Sequence, residues 1–412
     1  MTQHSFTLLL LFLIGLPFFN KFFENLRNHN ENYLDLSETK TVRVLILEKE
    51  KPDVIRINAK DAPLIFQLKE REVTLKPGDG FVFVFFSPDK AVFKQGDFSI
   101  ELEKLTVKNP AGLIQLYSQK TSNRYYRGDL EIAFNSRSAL QMINAVGLED
   151  YVTSVIGSEM NFREMDALKS QAVVSRTYTL WSIHKSAWPG FHLKDHEQNQ
   201  VYKGELISRP DYAEAAKATA GEILTWSNKL ILSAYSSTCG GTTGNNIEVW
   251  DGVNLPYLNP VNDRQMCSLS PHYEWKTVLE IEDFFDFIKT RYAFTPEDFE
   301  VQTHPSGRVS TITFYDRFSE ELTFSGNEFR LIINRHFEEM TLKSTLFTLH
   351  KKGTNIHFSG NGLGHGVGMC QWGAKGFANA GWNYSNILSF YFSGVKIVDL
   401  KDIKEQKIAL SN

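Results

Sequence analysis

Glu159 lies four residues after Val155 and seven after Val152, in line with the helical face marked by Leu148, Tyr151, Val152, Val155 and Ile156. Burial penalises the charged form of a carboxylate, so a carboxyl on such a face holds its proton to higher pH and can act as a general acid. The plainer alternatives are a helix-end glutamate turned to water, or a pair with Arg163 four residues on. Arg176 is the matching cation, between Ala172 and Leu180 on the apolar stripe of the next helix. A guanidinium there is either ligand-bound or locked in a buried pair, with Glu159 an available partner. The run GNGLGHGVG at 360–368 sets glycines at alternate positions around His365, which either meets a ligand in a cleft or satisfies loop carbonyls. It lacks the strand–loop–helix setting of a dinucleotide fingerprint and the lysine of a P-loop, which argues against nucleotide binding. A second glycine-bearing run, SSTCGGTTGNN at 236–246, carries hydroxyls and backbone N–H groups suited to a polyhydroxyl ligand, or is simply a flexible loop.

The chain has three cysteines, Cys239, Cys267 and Cys370, with no C-x-x-C spacing, which argues against a structural zinc site. In an exported protein Cys239 and Cys267 could bridge, closing a loop of about 28 residues worth about 3–4 kcal/mol; the alternative is two small buried hydrophobes. Cys370 has no evident partner. His192, Asp195 and His196 offer a weak chelating set, and Asp195 and Asp263 are the carboxylates that could pair with Glu159. No metal and no cofactor is expected.

Several elements must position these groups. Short β-branched and aromatic runs fill residues 41–132, with a turn at PGDG, 77–80. The spacing predicts helices from 148, over 165–184, near 211–220, over 280–290 and over 371–380. It predicts strands at 222–224, 230–235, 308–314 and 321–324. Sheets not regularly alternated with helices indicate α+β. The expectation is a single elongated domain of mixed helices and mostly antiparallel sheet around a substrate groove.

The 412 residues carry 44 basic and 48 acidic side chains, a net charge of −4, which excludes a polycation built to grip nucleic acid. With 42% hydrophobic residues the chain can bury an ordinary core, and 13% aromatics can fill it or stack on sugar faces. Residues 6–19 are uncharged and apolar, shorter than a bilayer span and closer to the core of a signal peptide. The expected organisation is a signal peptide or anchor over 1–29 (apolar through 23), a polar linker at 30–40, a domain over 41–398 and a tail from 399 to 412. The body is expected outside the cytoplasm, in the periplasm or cell envelope, meeting the membrane only through its N-terminal segment.

Taken in order, RYYRG (124–128), NAVGLEDYVTSVIGSEM (144–160), ALKSQAVVSRTYTL (167–180), QVYKG (200–204), AYSSTCGGTT (234–243), PYL (256–258), SPHYEW (270–275), SGRV (306–309), LKSTLF (342–347) and GLGHGVGMCQWGAKGFANAG (362–381) resemble the SpoIID/LytB family. The resemblance is collinear over 124–398. It implies a peptidoglycan lytic transglycosylase acting in sporulation or cell division on glycan strands freed of stem peptides, with an N-acetylmuramoyl-L-alanine amidase as partner. The glutamate of the S-E-M motif, Glu159, would be the catalytic acid and then base, giving a 1,6-anhydro product. The other function the resemblance allows is a non-catalytic glycan-binding activator of such an amidase. Within the matched motifs the expected substrate contacts are Arg176, Tyr202, Ser237, Thr238, Gly240, Gly241, Thr242, His365, Gln371 and Trp372, with Tyr202 and Trp372 as sugar-stacking rings. Some family members bind a metal through cysteines ahead of the Q-x-Y-x-G motif; the corresponding FHLKDHEQNQ (191–200) has none.

Overall fold

The computed structural model describes residues 41–410 apart from 88, 136–138, 251, 338–340 and 406–408. The apolar N-terminal stretch and the linker at 30–40 lie outside the described residues. Among the described residues no helix is long and apolar enough to cross a membrane.

Among the described residues, every helix or strand before Leu148 is a strand. A seven-stranded sheet runs in the order 193–194, 41–46, 140–147, 129–134, 104–108, 64–68, 71–75, and a six-stranded sheet in the order 121–126, 114–118, 54–59, 82–86, 91–95, 98–102. Alternation decides which faces meet: in Val54–Ala59 every second residue is buried, as in Leu64–Leu68. Phe66 of one sheet meets Phe93 of the other edge to face, with ring centroids 5.3 Å apart. Pairing in both sheets is antiparallel except where Leu193–Lys194 joins Thr41–Ile46.

Seven α-helices follow among the described residues: α1 (Leu148–Glu159), α2 (Met165–Lys185), α3 (Pro210–Ala218), α4 (Ile281–Tyr292), α5 (Gly326–His336), α6 (Gln371–Asn379) and α7 (Tyr384–Tyr391). α2 is the hub, packed by α1, α3, α6, α7 and the strand Glu222–Trp226. It is buried nearly all round although it carries Ser170, Ser175, Thr177 and Thr179. Those hydroxyls are satisfied locally: Thr177 and Thr179 each donate to the carbonyl four residues back at 2.7 Å.

A single domain was expected, but among the described residues the buried apolar side chains form two large clusters and a small one of Leu45, Ile143 and Phe191. Residues 274–361 hold α4, α5 and two three-stranded sheets around a cluster separate from the main one. Phenylalanine builds it: Phe284 lies 5.4 Å from Phe314 and 5.8 Å from Phe329. Much of the aromatic excess is therefore core rather than sugar platform. A one-dimensional pattern marks apolar faces but not which faces share a core, so the second cluster was hidden in the sequence. The presumed tail is also folded in part: Lys396–Asp399 pairs with Glu222–Thr225, and Ala409–Leu410 pairs with Lys229–Leu230.

Candidate active site around Glu159

α1 ends at Glu159, and the next residue turns into extended backbone. The segment 199–203 crosses this helix end, with the Lys203 N–H donating to Ser158 Oγ at 3.0 Å and the Val201 N–H to Glu159 Oε1 at 2.7 Å. The Tyr235 hydroxyl donates to the same Oε1 at 3.1 Å. It in turn accepts from Gln200 Nε2 at 3.3 Å, while Gln200 Oε1 accepts from Tyr151 at 3.2 Å and stands 2.9 Å from Thr179 Oγ1. This buried network fixes the phenol. Gln371, the first residue of α6, completes the surround with its side-chain amide on Glu159. Glu159 itself is only partly buried, so one edge stays accessible.

Burial pushes the Glu159 carboxyl above the ordinary carboxylate range; the Val201 N–H, the Tyr235 hydroxyl, Gln371 and the Lys203 charge pull it back only in part. Neither of the two carboxylates left open as a partner for Glu159 shares its site. The buried Asp195 accepts from the Leu47 N–H at 3.0 Å and faces Arg124 at 3.4 Å, and Asp263 accepts from Cys239 Sγ at 3.1 Å.

The four segments meet through a short parallel pairing of Tyr235–Ser236 with Met369–Cys370. Glycine permits it. At Gly368 (φ +73°) a Cβ would stand 2.1 Å from the Ala234 carbonyl, and at Gly366 (φ +73°) 2.0 Å from Arg308 Nη2. The alternate glycines thus serve close backbone approach.

Other expected contacts fall into three groups. Trp372 stays partly exposed beside the site, edge to face with Phe162 at 5.0 Å, with Lys375 Nζ 4.9 Å from both rings. Ser237 accepts from the Trp372 N–H at 3.1 Å, and Gly241 and Thr242 line a separate depression with Asn262, Arg264, Gln265 and Tyr273. Gly240 packs where a Cβ would lie 2.8 Å from that of Asn361.

Thr238 is buried and shares a hydrogen bond with Ser270 at 2.7 Å. His365 satisfies the loop: its Nδ1 accepts from the Val367 N–H at 3.0 Å, its other side bonds the Tyr235 backbone, and burial pushes it down to about 4, so it is neutral at pH 7.

Arg176 and Tyr202 lie in the core rather than against a ligand. Arg176 is fully buried and grips Glu149, not Glu159, through Nε at 2.8 Å and Nη2 at 2.6 Å, with further bonds to the carbonyls of Glu222 and Ala216. Tyr202 is buried against Tyr151, centroids 4.9 Å apart, and donates to Asn144 at 2.5 Å. The histidines of 191–200 do not converge with Asp195: His192 Nδ1 accepts from the Arg43 N–H at 3.1 Å and His196 meets Glu48 at 3.2 Å. The expected Cys239–Cys267 bridge is absent; both are free thiols with sulfurs 3.7 Å apart.

Sequence reasoning passed over Tyr235, Gln200 and Val201 as partners of Glu159. Two of the quoted motifs, QVYKG and AYSSTCGGTT, contain all three, and that membership was the available signal.

A family model described as stage II sporulation protein (SpoIID) matches residues 136–226. An uncharacterized protein of Brachyspira hyodysenteriae is 31% identical over 288 residues, spanning 68% of this chain and 74% of that protein. The chain belongs to the SpoIID family. Stage II sporulation protein D of Bacillus subtilis is 27% identical over 325 residues, 74% of this chain and 88% of that protein. The amidase enhancer of the same organism is 28% identical over 283 residues, but these cover only 38% of its length. The S-E-M glutamate and the strand, loop and helix around it are thus set in a SpoIID chain.

Proposed function

We propose that the protein is a lytic transglycosylase of peptidoglycan, exported to the cell envelope, with Glu159 as general acid and then general base. The reading is carried by the setting of Glu159: a partly accessible carboxyl whose pKa burial raises, with donors ready for its anion. Protonated Glu159 gives its proton to the glycosidic oxygen after N-acetylmuramic acid, and the bond breaks with oxocarbenium character at C1. The Val201 N–H and the Tyr235 hydroxyl stabilise the carboxylate left behind. That carboxylate then takes the proton of the C6 hydroxyl, which closes on C1 to a 1,6-anhydro sugar. This route uses one carboxyl, whereas glycoside hydrolysis ordinarily uses two. Glycan strands freed of stem peptides are the proposed substrate, with an amidase as the partner that supplies them.

Digestion of denuded glycan strands is expected to give anhydro-terminated products by mass spectrometry. Products heavier by one water would indicate hydrolysis, and intact strands would indicate a binding protein.

Tyr235→Phe removes a donor that favours the ionised acid. The alkaline limb of kcat/KM should therefore move to higher pH, and turnover should fall by about tenfold, the scale of one hydrogen bond to a charged group. An unchanged pH profile would remove Tyr235 from the mechanism.

A further inference from the structure

Beside the site, but not part of it, three cysteines and an aspartate converge from distant parts of the chain. The sulfurs of Cys239, Cys267 and Cys370 and a carboxylate oxygen of Asp263 all lie within 4.8 Å of one another, and all four residues are buried. The geometry points to a structural site for a thiophilic divalent cation, zinc by preference, with these four residues as ligands.

Three observations carry this. The first is spacing. A tetrahedron with metal–sulfur bonds of about 2.3 Å has edges of about 3.8 Å between sulfurs and about 3.5 Å between sulfur and oxygen. Cys239 and Cys267 Sγ stand 3.7 Å apart, and Cys239 Sγ stands 3.1 Å from Asp263 Oδ2. The sulfur pair is far beyond the roughly 2.05 Å of a disulfide.

The second is the surrounding shell. Cys370 Sγ accepts two backbone N–H groups, from Cys239 at 3.2 Å and from Gly373 in the first turn of α6 at 3.3 Å. Asp263 accepts from the N–H groups of Cys267 at 3.2 Å and Gln265 at 3.0 Å. Hydrogen bonds of this kind orient metal ligands and hold thiolates.

The third is what remains unsatisfied. The Tyr391 hydroxyl is buried with no hydrogen-bond partner, and it and Asp263 Oδ2 both crowd the position a Cβ would take at Gly373. Arg308 is buried beside Cys239, donating Nη2 to its carbonyl at 3.0 Å, while its Nε and Nη1 are unpartnered. Binding the cation releases the thiol protons to solvent and leaves two net negative charges, of which the Arg308 guanidinium offsets one.

Four protein ligands make a closed site, whose role is to fasten the chain rather than to activate water. It ties the 263–267 turn to the two strands that meet beside Glu159, and Cys370 is followed directly by Gln371. The site stands whether or not the chain cleaves glycan.

The full chain, expressed and purified without chelator, should contain about one zinc per molecule by elemental mass spectrometry. Its three cysteines should resist alkylation until a chelator is added, and Tm should then fall by about 5 °C or more. Cobalt substitution should give the absorption of tetrahedral thiolate ligation. Asp263→Asn and Cys370→Ser should lose the metal; if either fails to fold, the zinc content and cobalt spectrum of the unaltered chain decide alone. A mass lower by two hydrogens with one alkylatable cysteine would overturn the proposal in favour of a disulfide. Three cysteines that alkylate freely, with no zinc taken up on titration, would overturn it in favour of plain buried thiols.

Discussion

Glu159→Gln should abolish turnover on denuded glycan, by about 10²–10⁴-fold for loss of a general acid–base, while leaving glycan binding near its original level. The substitution is nearly isosteric, and its amide oxygen can still accept from the Val201 N–H and the Tyr235 hydroxyl. Lost binding together with lost turnover would point instead to a collapsed site. The same substitution reads out the carboxyl's environment. Because burial raises the folded-state pKa above the unfolded value, the group contributes stability that is fully present below its unfolded pKa, near 4.3, and disappears as pH rises through the folded value. Denaturant unfolding of the parent and the Gln variant should therefore show the parent losing stability relative to the variant from acidic to neutral pH. In the parent, kcat/KM should fall over the same rise in pH. Parallel stability curves would mean that Glu159 is as well solvated in the folded chain as in the unfolded one.

Glu149→Ala should destabilise the fold by about 3 kcal/mol, the low end for stranding a buried charge, since Glu149 is itself half-exposed while Arg176 is fully buried. The Arg176 guanidinium would retain only its carbonyl contacts to Glu222 and Ala216. Replacing both partners by apolar residues, Glu149→Leu with Arg176→Met, should recover much of the loss, because it strands no charge. Chemical denaturation measures both. The double variant should also keep the KM of the parent, and a raised KM would return Arg176 to the substrate.

Much of the architecture could be read in one dimension. α1, α2, α3, α4 and α6 fall where helical periodicity sets them, and the early strands fall where alternation does. α5 and α7 were missed, as was the pairing of 274–280 with 355–361, because short segments carry too few turns or alternations to show a period. Glu159 is marked twice in the sequence, as a carboxyl on an apolar face and within the S-E-M motif. Gln371 and Trp372 were legible from their motif alone. Arg176 and Tyr202 misled because their residue types suit both a ligand contact and a satisfied core position; only their neighbours Glu149, Asn144 and Tyr151 distinguish the two.

By itself the sequence determined the residue that could do acid–base chemistry, the α+β class and the family resemblance, since each rests on local spacing or collinear motifs. The tertiary structure alone decided which groups touch Glu159, that residues 274–361 hold a cluster of their own, and that Cys239, Asp263, Cys267 and Cys370 meet. Those are contacts between residues far apart in the chain, 131 positions for Cys239 and Cys370. No periodicity along a chain encodes them; they arise when sheet pairing and glycine-permitted close approach fold distant segments onto one another.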